Sequence, residues 1–132
     1  MAYAAVVTVD RVQVSRRPVW VVTVVETEAA NGSEFVVPAS ALPAAGEVLS
    51  HKSTLVSGSG ATIDPEVGTA AAWTANTQAA MYANGGAAAH VHFVPTAPTG
   101  LFRQSTGLHV RSKVNAGADN VIHTQIIIAP PA

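Results

Sequence analysis

The sequence predicts an all-β domain, an antiparallel β-sandwich or β-barrel of about seven to eight strands with one long Ala-rich loop or short helix. Three observations carry this. Short runs rich in Val, Ile and Thr alternate with polar residues, and clusters of Gly, Pro, Asn and Ser separate them at short, regular spacing. The stretch Gly107 to Ala129, GLHVRSKVNAGADNVIHTQIIIA, ends in a run whose Ile122, Thr124, Ile126 and Ile128 fall on one side of an extended chain, with Val121, His123, Gln125 and Ile127 on the other. No heptad, internal repeat or low-complexity linker appears. At 132 residues the chain reads as a single domain over 1–132, long enough to bury roughly two-thirds of its unfolded surface.

Taken in order, Tyr3 to Val14 reads as a Val-rich strand that Arg16-Arg17-Pro18 stops. Val19 to Glu28 is nearly continuous Val, Trp and Thr before Glu26 and Glu28, which predicts a central strand covered on both faces in its first half and reaching solvent at its end. Trp20 belongs to its core. Asn31-Gly32 is a strong hairpin signal before Ser33 to Pro38, so the first three strands are expected to form a meander. Pro38 to Gly46 is a surface connection, and Glu47 to Ser57 is a strand alternating Val48, Ser50, Lys52, Thr54 and Val56 with Leu49, His51, Ser53 and Leu55. Gly58-Ser59-Gly60 ends it, and Asp64 before Pro65 marks a turn. Thr69 to Ala83 is either a long loop or one or two helical turns, within a loop region spanning 69–86. Ala87 to Pro95 is a strand with His90, His92 and Val94 on one side. Pro95 to Gly100 is a loop, Leu101 to Gln104 a short strand, and Asn115 to Asn120 the turn of a final β-hairpin.

Charged residues make up only 11% of the chain, against about 25% in an average soluble domain, while 48% is hydrophobic and only 5% aromatic. Apolar surface built from Ala and Val suits flat packing against another chain better than an aromatic ligand cleft, which predicts burial between subunits. A net charge of −1 with scattered basic residues argues against nucleic acid, and the apolar runs are too short for a membrane span. Zero Cys excludes thiol catalysis and Cys-based zinc sites. The start, Met-Ala-Tyr-Ala-Ala-Val-Val, has no basic leader and does not resemble a signal peptide.

The five histidines are the only metal or acid–base candidates. His90 and His92 share one strand face, and His51, His109 or His123 would have to supply a third ligand. No carboxylate adjoins them, so histidines on polar or interface-facing strand positions are the favoured reading, with no metal and no cofactor. Neither Asp64 with Glu66 nor Glu26 with Glu28 resembles an acid and base held across a substrate, and no nucleophile or phosphate-loop motif occurs, so no enzymatic role is expected. Arg103 and Arg111 are read as pairing with Asp119 or with acidic groups on a partner.

Thr62-Ile63-Asp64-Pro65, then Gly100-Leu101-Phe102, then Gly-Leu-His-Val-Arg-Ser and Asn-Ala-Gly-Ala-Asp-Asn-Val-Ile-His-Thr-Gln-Ile-Ile-Ile together resemble the capsid cement, or decoration, proteins of tailed bacteriophages, over about the last 70 residues. That resemblance implies a structural virion protein, made in the bacterial cytoplasm, that binds the outer capsid surface and stabilises junctions between major capsid protein subunits, itself associating as a dimer or trimer. Contacts are expected from an extended arm at residues 1–10, from the Thr69 to Ala83 segment and from the Pro95 to Gly100 loop. The candidate interface residues are Tyr3, Val6, Trp73, Tyr82, Phe102, Arg103 and Arg111. Alternatives are another phage component such as a head fibre or tail protein, a carbohydrate-binding β module, and a small His-metal barrel enzyme.

Overall fold

Two antiparallel sheets, neither closed into a barrel, pack face to face in a computed structural model that describes residues 2–69, 80–83, 87–95, 101–103 and 107–130. The strands are β1 (Ala4–Val14), β2 (Arg17–Ala29), β3 (Glu34–Val37), β4 (Ala45–Ser57), β5 (Glu66–Gly68), β6 (Ala80–Ala83), β7 (His90–Phe93), β8 (Leu101–Arg103), β9 (Leu108–Arg111) and β10 (Asn120–Ala129). Among the described residues one 3-10 turn, Ala39–Ala41, interrupts them. The six-stranded sheet runs β1-β2-β10-β4-β7, with β8 pairing a different stretch of the β4 edge that β7 uses; the four-stranded sheet runs β3-β9-β5-β6. The all-β sandwich expected from the alternation is therefore the architecture found. Residues 70–79 of the Ala-rich segment lie outside the described residues, while Ala80–Ala83 at its end is a strand.

β1 and β2 form a hairpin closed by Ser15 and Arg16, with Val14 opposite Arg17. Both turn residues are left-handed, at φ 47° and 69°, as a two-residue turn matched to strand twist requires. Neither is Gly, Asn or Asp, so the turn carries no usual sequence signal. β2 is flanked by β1 and β10, as expected of a central strand, but its first half is not covered on both faces: Val21 and Thr23 face outward, and Thr23 is exposed.

Two expected pairings are corrected. The first three strands do not form a meander: Ala30 to Ser33 makes a turn, with Ser33 N–H donating to the Ala30 carbonyl at 3.0 Å, but it carries the chain into the other sheet, where β3 pairs β9. Nor do β9 and β10 form a hairpin. β9 lies between β3 and β5, β10 lies between β2 and β4, and residues 112–119 cross between the sheets. The Asn and Asp side chains that suggested a tight turn bind a distant loop instead. Asn115 Oδ1 accepts from the Ala61 and Thr62 N–H groups at 2.8 and 3.0 Å, Asp119 accepts from the Ser59 N–H and hydroxyl, and Asn120 accepts from Gly60 N–H at 2.8 Å while donating to the Ala29 carbonyl. A Cβ on Gly60 would meet Val114 Cγ1 at 2.5 Å and Asn120 Oδ1 at 2.8 Å, so the close approach needs glycine.

The predicted alternation of β10 holds along its length, with Ile122, Thr124, Ile126 and Ile128 buried. In β4 an extra residue around Leu49, where the register with β10 shifts, breaks the simple alternation, so that Val48, His51 and Ser53 all point inward. The inward residues build two apolar clusters. One joins Val22, Val24, Val48, Ile126 and Ile128 to Phe35, Val37, Val67, Leu108 and Val110 of the opposing sheet. The other gathers Ala29, Ile63, Val91, Val114 and Ile122.

Candidate functional site

Between the two apolar clusters each long strand places a polar side chain: Tyr3 ahead of β1, Glu26 in β2, Ser53 in β4, Ser112 after β9 and Thr124 in β10. A buried polar group must be hydrogen-bonded or it costs more than it contributes, and these are. Tyr3 Oη donates to Glu26 Oε2 at 2.8 Å and Ser112 Oγ donates to Glu26 Oε1 at 3.0 Å. Burial pushes the Glu26 carboxyl up to about 7, against the lowering effect of those two donors. Burial and the neighbouring carboxylate push the Tyr3 phenol above its ordinary value. Farther along, His51 Nε2 lies 3.2 Å from Ser53 Oγ, which lies 3.0 Å from Thr124 Oγ1, and the imidazole stacks on Phe93 with ring centroids 5.0 Å apart. Burial lowers His51 to about 3, so it is neutral. Glu26, near the end of β2, therefore does not reach solvent as expected, while Glu28 is partly exposed. Glu26 is fully buried because Tyr3 and Ser112 together satisfy both carboxyl oxygens.

The outer face of the four-stranded sheet is charged but internally paired. Glu34, Arg111 and Glu66 form one row across β3, β9 and β5. Arg111 Nε sits 3.9 Å from Glu34 Oε1 and 3.6 Å from Glu66 Oε1, Lys113 Nζ is 3.7 Å from Glu66 Oε2, and His109 Nδ1 is 3.2 Å from Glu34 Oε2. Two sequence expectations are corrected here. Arg111 pairs across strands and not with Asp119, whose carboxylate Ser59 occupies and holds below its ordinary range. His109 is buried beside Glu34 and is not a surface position.

The outer face of the six-stranded sheet is different. Its register sets Val6, Val25, His123, Thr54 and His90 in one row across five strands, Thr8, Thr23, Gln125, Lys52 and His92 in the next, and Asp10, Val21, Ile127 and Ser50 in a third. Only Asp10 and Lys52 carry a formal charge in these rows. Val6 is 67% exposed and Val12, farther along β1, 41%. His90 and His92 share this face as expected, and His90 Nδ1 is 2.7 Å from Thr54 Oγ1. Among the described residues no three histidine or carboxylate groups gather around a common point, so no third ligand joins His90 and His92 there.

Of the seven candidate interface residues, the three whose side chains are described, Tyr3, Val6 and Arg111, do not share one patch. Val6 lies on the open face, Tyr3 turns inward to Glu26, and Arg111 is held in the ion-pair row of the other sheet. Tyr82 belongs to β6, and Phe102 and Arg103 to β8, opposite Gly46 and Ala45. Trp73 lies outside the described residues, as do residues 96–100 of the Pro95 to Gly100 loop; Pro95 itself is buried. Sequence reasoning missed the buried Glu26–Tyr3–Ser112 group, whose members are 23 and 86 positions apart. No protein-family model matches the chain, and no curated protein matches it.

Proposed function

We propose that this chain is a non-catalytic structural component of a bacteriophage particle, a decoration protein that binds the outer capsid surface over junctions between major capsid protein subunits and associates with copies of itself. The observation that carries this reading is the outer face of the six-stranded sheet: three rows over five strands with two formal charges and with Val6 two-thirds exposed. A weakly charged face of Val, Thr, His and other polar side chains offers many small contacts. On a repeating lattice such contacts gain by multivalency what each lacks alone.

Quantitative mass spectrometry of purified particles tests the reading, and a decoration role expects copies on the order of the major capsid protein, in the hundreds. A few or dozens of copies would place the chain in a tail or fibre. Absence from particles removes the proposal altogether, and glycan-array binding by the same sheet face would replace it with carbohydrate recognition.

A further inference from the structure

The two edges of the six-stranded sheet are unlike. One side of β4 is lined by two short pieces, β7 with four residues and β8 with three, which is how sheets commonly avoid edge-to-edge contact. The opposite edge is β1, eleven residues spanning roughly 35 Å, which among the described residues pairs only with β2. It contains no proline, no lysine and no bulge against β2. We infer that β1 is a self-association edge, at which a second copy of this chain adds its own β1 antiparallel about a two-fold axis through Val9, making one continuous sheet across two molecules.

The register follows from the hairpin. A two-residue turn closes on a pair that exchanges both backbone hydrogen bonds, here Val14 and Arg17. Alternate residues back from Val14 therefore bond to β2, while Ala5, Val7, Val9, Arg11 and Gln13 aim their N–H and C=O groups at the open edge. Pro18, opposite Gln13, has no N–H to give, which fits its place outside that bonding set. Those five residues are centred on Val9. An antiparallel two-fold there engages all of them, Ala5 with Gln13, Val7 with Arg11 and Val9 with its own copy, and completes about ten backbone hydrogen bonds.

Side chains favour the same alignment. On the outer face it sets Val6 opposite Val12 of the second copy, joining the two exposed valines of the strand, and Thr8 opposite Asp10, a hydroxyl beside a carboxylate. Moving the second strand by two residues one way sets Asp10 against Asp10. Moving it the other way sets Val6 against Asp10 and uses four of the five edge residues. β1 carries one acid and one base, Asp10 and Arg11, so two copies meet without net repulsion. The inference names the surface for the self-association proposed above and stands without the capsid, since it concerns the protein alone in solution.

Sedimentation velocity on the purified full chain, diluted from about 0.5 mM to micromolar, is expected to show a monomer–dimer equilibrium. Thr8→Asp sets carboxylates opposite each other twice by symmetry and should raise the dimer dissociation constant about tenfold or more. Thr8→Lys sets an ammonium beside Asp10 and should leave the dimer as tight or tighter. Thr8 is exposed, so neither change disturbs the core. The chain has no cysteine, so in the double variant Val6→Cys with Val12→Cys oxidation should give a covalent dimer, while each single variant stays monomeric on a non-reducing gel. A monomer at every concentration, a dimer indifferent to Thr8→Asp, equal weakening by Thr8→Lys, or cross-linking by either single cysteine would each overturn the inference. A lost dimer with retained particle binding would sink the edge and leave the decoration reading intact.

Discussion

The two outer faces of this sandwich solve the same problem differently. On the four-stranded sheet, Glu34, Arg111, Glu66, Lys113 and His109 crowd together within ion-pair distance, with the Glu and Arg side chains only 16–22% exposed. On the six-stranded sheet the register rows carry Asp10 and Lys52 among valines, threonines and neutral polar groups. Charge in one place is structural, bound to its neighbours; in the other it is sparse, and apolar side chains are left facing outward. Four of the chain's fifteen charged residues are thus held in one ion-paired row, while the other face is left plain, as expected of a face that meets the partner proposed above.

The comparison can be broken most sharply at Arg111. Arg111→Ala leaves Glu34 and Glu66 without the cation between them, and because the group is largely screened from solvent it should lose about 3 kcal/mol in urea unfolding. A loss below about 0.5 kcal/mol would show that the row is an ordinary surface ion pair.

The seam between the sheets gives the next effect. With the Glu26 carboxyl raised from 4.5 to about 7, the folded chain keeps a proton that the unfolded chain has lost, so this group makes stability fall as pH rises through that window. His51 works in the opposite sense. Its folded value of about 3 lies below the ordinary 6.5, so its stabilising contribution is lost as pH falls from 6.5 toward 3. Between pH 4.5 and 6.5 the two slopes oppose, each up to about 1.4 kcal/mol per pH unit, and the native protein should be nearly indifferent to pH there. Glu26→Gln removes one slope and should lose about 2 kcal/mol on going from pH 6.5 to 4.5. Equal midpoints for the variant at both pH values would contradict this. Smallest of all, Lys52→Ala on the open face should change stability by no more than about 0.5 kcal/mol; a larger loss would mean that this face is more structural than its sparse charge implies.

Much of the fold was legible where a residue's fate depends on its immediate neighbours. Ile122, Thr124, Ile126 and Ile128 share a buried face because strand period alone puts them there. The partners of each strand were not legible, since Asn115, Asp119 and Asn120 would suit a hairpin turn as well as the sheet crossing they form. Bonds to Ser59, Gly60, Ala61 and Thr62, more than fifty positions away, decide between them. Glu26 was read as a solvent-facing strand end for the same reason: the carboxyl is drawn inward by donors that sequence order does not place nearby. The open face was anticipated only through Val6, because a plain surface is defined by cross-strand rows and not by any local pattern.

The position of β10 sets an order of assembly. β1 and β2 are joined by a two-residue turn and can pair within microseconds of being made, but β2 and β4 touch through β10, whose residues follow their partners in β2 by 91 to 108 positions. While the chain is being synthesised, a nascent hairpin therefore waits with its inner edge empty until residues 120–129 arrive between the two strands. Such long-range closure is slow relative to local pairing and leaves an apolar strand unpartnered meanwhile. β10 is thus the keystone of the larger sheet, and the interval before it is set is when the protein is most exposed to misassembly.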